Sequence, residues 1–174
     1  MVTLCHLYCY QQIRKHSLEI AEMTLYHTSP SAITEINSFG RFGEFLFFAD
    51  DEYVMTAGDH VIYSIELEAS EIIEAGQIFY HEDAAKLDGL VEQVMEMVGC
   101  DEGTAEKLIA QNEDLHSIDC DVEPEDLADA SWDIQRITGE AAVILGFRGA
   151  VMQDEQGAAY LIHMAGREAD LVLV

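Results

Sequence analysis

The fold is decided by two short stretches, Tyr-His-Thr-Ser-Pro at residues 26–30 and Gly-Arg-Phe-Gly-Glu-Phe-Leu-Phe-Phe-Ala at residues 40–49. In the first, a histidine and two small hydroxyl residues follow a short apolar segment, and Pro30 lacks the amide hydrogen that a central strand needs. In the second, a glycine-rich bend leads into an aromatic strand. Side by side, the two stretches form a cleft with hydrogen-bonding groups on one wall and flat rings on the other. Such a cleft suits a ribose and a planar base.

The composition describes one domain with an extreme negative charge. The chain has 174 residues, of which 49% are apolar, enough to bury about two-thirds of the unfolded surface. It carries 34 acidic and 8 basic residues, for a net charge of −26. Such a surface repels nucleic acid, because phosphate binding needs Lys and Arg, so we expect no direct contact with nucleic acid. The charge favours a basic protein partner, or it simply keeps a small protein soluble.

Cysteine usage and hydropathy narrow the class further. The four cysteines are scattered, which argues against a disulfide framework and favours a reducing cytoplasm. Cys5, His6 and Cys9 lie close together, but no second ligand pair follows at zinc spacing, so we expect no metal. No run of 18 uncharged apolar residues is present, and we expect no membrane association.

The first 22 residues differ in composition from the rest. They hold Arg14 and Lys15, two of the eight bases, but only two of the 34 acids. We therefore expect residues 1–22 to be an extra N-terminal segment, disordered or loosely helical, or a wrongly assigned start. Residues 23–174 would then form a single domain, and deletion of residues 1–22 should leave activity intact.

The hydrophobic pattern predicts an α+β fold with the helices inserted as a block in the middle. Residues 31–37 are expected to form a turn or a single helical turn. The helices are expected at 83–98, closed by Gly99; after the cap Asp101; and in a third helix with Pro124 in its first turn. The strands are expected at 23–27, 45–49, 60–67, 150–152, 160–164 and 171–174.

The two opening stretches also resemble known motifs. His27-Thr28-Ser29 resembles the first motif of the ADP-ribosyltransferase fold, in which a histidine holds a ribose hydroxyl of NAD. Residues 40–43 leading into Phe47-Phe48 resemble the second motif, which wraps the nicotinamide. From Met23 to about Gly157, including Asp-Glu-Tyr-Val-Met-Thr-Ala-Gly-Asp-His and Gly-Phe-Arg-Gly, the chain is similar to the eleventh type I-F anti-CRISPR family.

The resemblance implies a fold and an activity. The fold would be a split, strongly bent, mostly antiparallel sheet with NAD in the cleft. The enzyme would be a mono-ADP-ribosyltransferase of viral or mobile-element origin, working in the cytoplasm of the bacterial host. NAD would be its co-substrate, and its target an asparagine on the PAM-reading subunit of the type I-F CRISPR surveillance complex.

The first motif and Arg41 would fix the sugar and the phosphates. The resemblance gives His27 the ribose hydroxyl and a part in catalysis, with Thr28 and Ser29 as further hydrogen-bond partners. Arg41, between two glycines, could grip the pyrophosphate in a bidentate way, or it could be a surface ion pair. Breaking the bond between nicotinamide and ribose also calls for negative charge near the developing cation.

Aromatic residues would hold the nicotinamide. Gly40 and Phe42 belong to the motif that would wrap the ring. Phe47, Phe48 and Tyr53 compete for its face; because neighbouring strand residues point to opposite sides, one of the two phenylalanines belongs to the core. Tyr53, in an acidic loop, is the residue we favour for stacking, with Phe48 also kept as a candidate.

The catalytic carboxylate departs from the pattern of the fold. A glutamate is expected at the start of a late strand, but residues 157–159 are Gly-Ala-Ala. The nearest acids are Asp154, which we favour, and Glu155. The alternative is that these two simply occupy a solvated hairpin turn.

Two other functions remain open from the sequence. The charge alone fits an acidic inhibitor that imitates DNA and binds a basic groove stoichiometrically. An ADP-ribosyltransferase toxin with another protein target is also compatible, since a fold does not name its target.

Overall fold

The computed structural model describes residues 21–54, 58–154 and 157–174. In this part of the chain the three α-helices lie between the fourth and fifth strands, which confirms the inserted helical block of an α+β fold. The α-helices are α1 (Asp88–Val98), α2 (Glu102–Ile109) and α3 (Leu127–Ile144). The strands are β1 (Glu22–Ser29), β2 (Phe45–Phe48), β3 (Val61–Glu68), β4 (Ile72–Glu74), β5 (Gly149–Asp154), β6 (Gly157–His163) and β7 (Val172–Leu173). Four 3-10 turns accompany them, Ala69–Glu71, Ala75–Tyr80, Ala84–Leu87 and Glu168–Asp170.

The strands of the described residues form two sheets that meet at Tyr26 of β1 and Ala49, where the sequence predicts the cleft. The first has the order β1-β3-β7 and the second β2-β6-β5-β4, with antiparallel pairing throughout except for the parallel pair β4–β5. Tyr26 of β1 and Ala49, just after β2, exchange backbone hydrogen bonds of 2.8 and 2.9 Å. The sheet is therefore split, and the two motif stretches lie side by side where its halves touch.

Alternation along β3 buries one face between the two sheets. Tyr63, Ile65 and Leu67 are buried, as the period of two predicts. Ile65 and Leu67 belong to a core cluster that fixes the angle between the sheets and therefore the shape of the cleft. Its members are Leu25, Ile36, Phe48, Ile65, Leu67, Ile162 and Met164.

The helical block packs on the four-stranded sheet through a second, larger core cluster. As predicted, Gly99 closes α1 directly after Val98 with a left-handed φ of 74°. The side chain of Asp101 caps α2 by accepting from the Thr104 amide at 2.8 Å. α3 crosses the sheet at Gly139. A Cβ there would lie 2.8 Å from Phe45 and 2.9 Å from Leu161, so the absence of a side chain lets helix and sheet approach closely.

Two local predictions were wrong, and in both segments hydrogen bonds stabilise a different backbone conformation. Pro124 is not in a helix: the Asp126 amide donates to the Glu123 carbonyl at 2.9 Å, which makes Pro124 the second residue of a β-turn, a position that proline favours. α3 starts only at Leu127. Residues 31–37 form no helical turn, because distant side chains accept from their amides: Ile33 donates to the Tyr63 hydroxyl at 3.0 Å and Ile36 to Glu168 at 3.1 Å.

Some element boundaries also moved. The helix expected from residue 83 begins as the 3-10 turn Ala84–Leu87 and becomes α-helical at Asp88. β1 begins at Glu22, one residue before the expected domain start. Residues 1–20 lie outside the described part of the chain, so the expectation for the N-terminal segment stays a prediction.

Candidate functional site

His27 occupies the cleft wall formed by β1 and is anchored to β2. Its Nδ1 lies 2.7 Å from the Phe47 carbonyl oxygen. A carbonyl can only accept, so Nδ1 carries the proton and donates it. Burial lowers the pKa of His27, outweighing the opposite effect of the hydrogen bond to Phe47. The ring is therefore neutral near neutral pH, and its other nitrogen, Nε2, is an acceptor.

Thr28 and Tyr53 are joined to the same wall. The Thr28 hydroxyl donates to the Tyr53 carbonyl, which holds the segment after β2 against β1. The Tyr53 hydroxyl donates to the Phe47 carbonyl at 3.4 Å, so this carbonyl oxygen accepts hydrogen bonds from both Tyr53 and His27. Burial raises the pKa of Tyr53, against a smaller effect of a backbone hydrogen bond with Thr28, and keeps the phenol neutral. The structure thus brings His27, Thr28 and Tyr53 together.

Phe47 and Phe48, which are neighbours in β2, behave as strand alternation predicts. Phe48 is 1% exposed and lies in the core between the sheets, with its ring 5.5 Å from that of His27. It has no open face for a planar ligand and instead supports His27 from behind. Phe47 is half-buried and makes an edge-to-face contact of 4.7 Å with Phe42. Ser29, at the end of β1, is also buried.

Gly40 and Arg41 open onto a neighbouring groove of about 620 Å³ between the glycine-rich bend and α3. The Arg41 guanidinium pairs with Asp129 and lies 4.0 Å from the centre of the Trp132 ring. The lining does not include His27, Thr28, Ser29 or Tyr53. It consists of Ser38, Gly40, Arg41, Gly43, Glu44, Phe45, Asp133, Arg136, Glu140, Val143, Ile144 and His163. The Phe42–Phe47 contact connects the groove to the histidine wall.

Sequence reasoning missed the contribution of α3 to this groove. Asp133, Arg136 and Glu140 line it, and Arg136 pairs with both acids. Their spacing of three and four residues places them on one face of a helix, which is a readable signal of a charged stripe. What the sequence does not show is that this stripe lies next to the glycine-rich bend.

The carboxylate candidates lie at the open end of the β5–β6 hairpin. The backbone of Asp154 pairs with Gly157; its side chain and Glu155 lie outside what the structure describes. Phe48 of β2 lies opposite Tyr160 of β6, so the hairpin extends three residues, about 10 Å, beyond the end of β2. Because Phe48 is opposite Tyr160, the segment after β2 leaves the sheet beside β6. Burial raises the pKa of Tyr160, and so does the charge of Asp50. The hairpin end and the segment leading to Tyr53 thus share one end of the sheet.

No group of three or more His, Cys, Asp or Glu side chains in residues 21–54, 58–154 and 157–174 is arranged to hold a metal ion. In the same ranges, no helix combines the length and apolarity needed to cross a membrane.

Residues 23–169 match the model of a protein family described as "Anti-CRISPR Type I-F ADP-ribosyltransferase AcrIF11". The chain belongs to this family. The enzyme is accordingly an anti-CRISPR mono-ADP-ribosyltransferase that uses NAD as co-substrate, and its family acts on the type I-F CRISPR system. The resemblance read from the opening motifs is confirmed at this level.

A solved structure agrees with the family. "Crystal structure of an anti-CRISPR protein" is 27% identical, with a TM-score of 0.50 over 81% of this chain and 89% of the other. A search of curated proteins gave no match.

The groups in the cleft fit NAD by their chemistry. A neutral histidine whose Nε2 forms no hydrogen bond within the described residues can accept one from a ribose hydroxyl, and the half-buried Tyr53 ring is held beside it. Arg41 is the cation within the motif and lines the adjoining groove together with Arg136. In this structure its guanidinium pairs with Asp129 and lies over the Trp132 ring.

Proposed function

We propose that the enzyme transfers ADP-ribose from NAD to the PAM-reading subunit of the type I-F surveillance complex, on an asparagine side chain, in the cytoplasm of the bacterial host. The observation that carries the site is the His27 ring, held neutral with Nδ1 donating to Phe47 and Nε2 left as an acceptor. An acceptor at this position suits a ribose hydroxyl and would be lost on protonation.

Each candidate residue has a defined part in the proposal. His27 holds the ribose hydroxyl through Nε2, and Thr28 keeps the Tyr53 segment in place so that the Tyr53 ring can face the nicotinamide. Phe48 acts indirectly by packing behind His27, and the buried Ser29 ends the strand. Gly40 and Phe42 form the bend that wraps the nicotinamide ring. The Arg41 guanidinium leaves Asp129 and binds the pyrophosphate of NAD.

The carboxylate is assigned to Asp154, with Glu155 as the second candidate. NAD supplies an activated bond between ribose and nicotinamide. That bond breaks, nicotinamide leaves with the bonding pair, the amide nitrogen of the acceptor bonds to the ribose carbon, and one amide proton is released. A carboxylate near the sugar stabilises the positive charge that develops there. The end of the β5–β6 hairpin, beside the Tyr53 segment, is a suitable place for it.

The expected consequence is loss of target recognition. PAM reading depends on a few side chains that reach base edges in duplex DNA. An attached ADP-ribose is bulky and doubly negative, so it blocks the approach of DNA and repels its phosphates. A catalyst also needs fewer copies than the complexes it inactivates.

The test is transfer of label from NAD to the purified complex, followed by peptide mapping. We expect label on an asparagine of the PAM-reading subunit, and loss of label with His27→Ala and with Asp154→Ala. Label on another subunit would refute the assigned target. Inhibition without NAD, or undiminished in both variants, would favour the acidic DNA mimic that the net charge of −26 also supports. No label on the complex, together with label on another protein of a bacterial lysate, would favour a toxin.

A further inference from the structure

A second groove lies in the helical block, away from the histidine wall and from the groove next to Arg41. It measures about 440 Å³ and runs between α1, α2 and the 3-10 turns that precede α1. We call it the helical-block groove. Its lining is Phe79, Ala84, Ala85, Asp88, Val91, Glu92, Met95, Glu102 and Glu106.

The floor of the helical-block groove is apolar and built from a helical stripe. Val91 and Met95 of α1 are four residues apart on one face, and Phe79 closes the side. Val91 is buried, whereas Met95 and Phe79 remain half-exposed. Part of the apolar surface of Met95 and Phe79 is thus left open to water at the bottom of the groove.

The rim carries negative charge without a partner. Asp88, Glu92, Glu102 and Glu106 make no ion pair and no side-chain hydrogen bond within the described residues. The two lysines closest in sequence do not neutralise them, because Lys86 pairs with Asp83 and Lys107 with Glu113.

The groove next to Arg41 provides a contrast within the same molecule. There Glu44 lies 3.1 Å from His163, and Asp133 and Glu140 both pair with Arg136. The acids that line that groove are therefore matched by bases of the chain itself. Around the helical-block groove no such base pairs with the acids within the described residues, so a basic partner would meet no competing base of the chain itself.

We propose that the helical-block groove is a docking site for an arginine- or lysine-bearing segment of the target protein. The aliphatic stem of such a side chain covers Val91 and Met95, and its charged end meets the rim carboxylates. The proposal rests on the proposed function, since a nucleic-acid-binding target carries bases on the surfaces that contact phosphates. Docking here holds the target while its acceptor residue reaches the cleft, so the groove sets affinity and encounter rate and leaves the chemistry unchanged.

The test compares two charge-neutralised variants that have the same net charge. The groove variant combines Asp88→Asn, Glu92→Gln, Glu102→Gln and Glu106→Gln. The control neutralises four exposed glutamates elsewhere that make no ion pair in the described residues, with Glu22→Gln, Glu74→Gln, Glu123→Gln and Glu125→Gln. Both go from −26 to −22, since each loses four negative charges.

We expect the groove variant to raise KM for the purified complex about tenfold near physiological salt, while kcat and KM for NAD stay at the wild-type values. The control should stay close to wild type. Added salt should raise the wild-type KM and change that of the groove variant much less, because exposed charges are screened. Equal KM values for groove variant and control would overturn the proposal.

A steric variant keeps the test decisive if the charge variant is unstable. Ala85 lines the groove and is exposed, so Ala85→Trp fills the groove without a change in charge. Ala69→Trp, at an exposed 3-10 turn elsewhere, is its control. A rise in KM for the complex with Ala85→Trp alone supports docking, and no difference between the two variants refutes it. If the wild-type enzyme places no label on the complex, the proposed function fails. The docking proposal is then still tested by measuring how tightly the groove variant and the control bind the complex without NAD.

Discussion

His27 and Phe47 are joined across the cleft by a hydrogen bond of 2.7 Å between the imidazole Nδ1 and the backbone carbonyl. This bond ties β1 to β2 and also fixes the tautomer of the ring. The acceptor that we assign to the ribose, Nε2, exists because Nδ1 is committed to Phe47. One contact therefore sets both the geometry and the chemistry of this wall.

Replacement of His27 should separate these two contributions. We expect His27→Ala to lower kcat/KM about a hundredfold, comparable to removal of one hydrogen-bonding group that stabilises a transition state. His27→Gln, whose amide oxygen can stand near the position of Nε2, should retain part of the activity. The measurement is steady-state transfer of labelled ADP-ribose to the complex.

The control for His27 is the exposed His60, whose ring forms one hydrogen bond within the described residues, to the Gly58 carbonyl. His60→Ala should leave kcat/KM unchanged. Equal losses for His60→Ala and His27→Ala would show that the effect does not come from the cleft.

The activity should fall on the acidic side of neutrality. Burial lowers the pKa of His27 below 6.5, so the ring stays neutral down to a more acidic pH than a free histidine. Protonation converts Nε2 from an acceptor to a donor. We expect kcat/KM to be constant above pH 6.5 and to decline below it, with a midpoint below 6.5, and this step should be absent in His27→Gln. A midpoint above 6.5 would contradict the assignment.

The same shift affects stability with a definite sign. Above pH 6.5 the ring is neutral in the folded and the unfolded chain, and the linkage contribution is constant. As the pH falls from 6.5 to the lower pKa of the folded state, the unfolded chain binds the proton first. The free energy of unfolding therefore decreases over that window, and denaturant titrations of wild type and His27→Gln should diverge there.

The sequence was most informative where local pattern and tertiary environment agree. The alternation in β3 predicted the buried face that carries Ile65 and Leu67, and Gly99 and Asp101 marked the helix ends because their roles depend on nearby backbone groups. Pro124 misled because proline serves a β-turn as well as a helix start. The segment at residues 31–37 misled because its amides bond to Tyr63 and Glu168, which are distant in sequence.

For the candidate site too, local patterns were predictive and long-range contacts were not. His27 and Thr28 were predicted from the first motif and Tyr53 from its place in the acidic loop, and the structure links the three through hydrogen bonds. For Arg41 the sequence left two roles open, and only the fold shows that Asp129 and Trp132 reach it from a helix almost ninety positions later. Such long-range partners leave no local signal in a single sequence.

Arg41 should affect NAD binding more than stability. Its pair with Asp129 is exposed, and exposed ion pairs contribute little to folding, so neither partner should be needed for the fold. If Arg41 moves to the pyrophosphate, Arg41→Gln raises KM for NAD about tenfold with a small change in kcat. Asp129→Asn releases the guanidinium and should lower KM for NAD or leave it unchanged. If the Arg41→Gln variant keeps the wild-type KM for NAD, Arg41 does not bind the pyrophosphate and forms only a surface ion pair with Asp129.

Two glycines in helices should respond in opposite ways to alanine. At Gly139 a Cβ would lie 2.8 Å from Phe45 and 2.9 Å from Leu161, whereas at Gly89, in the first turn of α1, no atom lies within 4 Å. Alanine favours a helix by up to about 1 kcal/mol over glycine, and overpacking of a core costs about 1–3 kcal/mol. We expect Gly139→Ala to lower Tm by a few degrees and Gly89→Ala to leave it equal or raised, as measured by thermal unfolding. A stabilised Gly139→Ala would mean that α3 can move away from β2 and β6, and that the close approach of helix and sheet does not depend on this glycine.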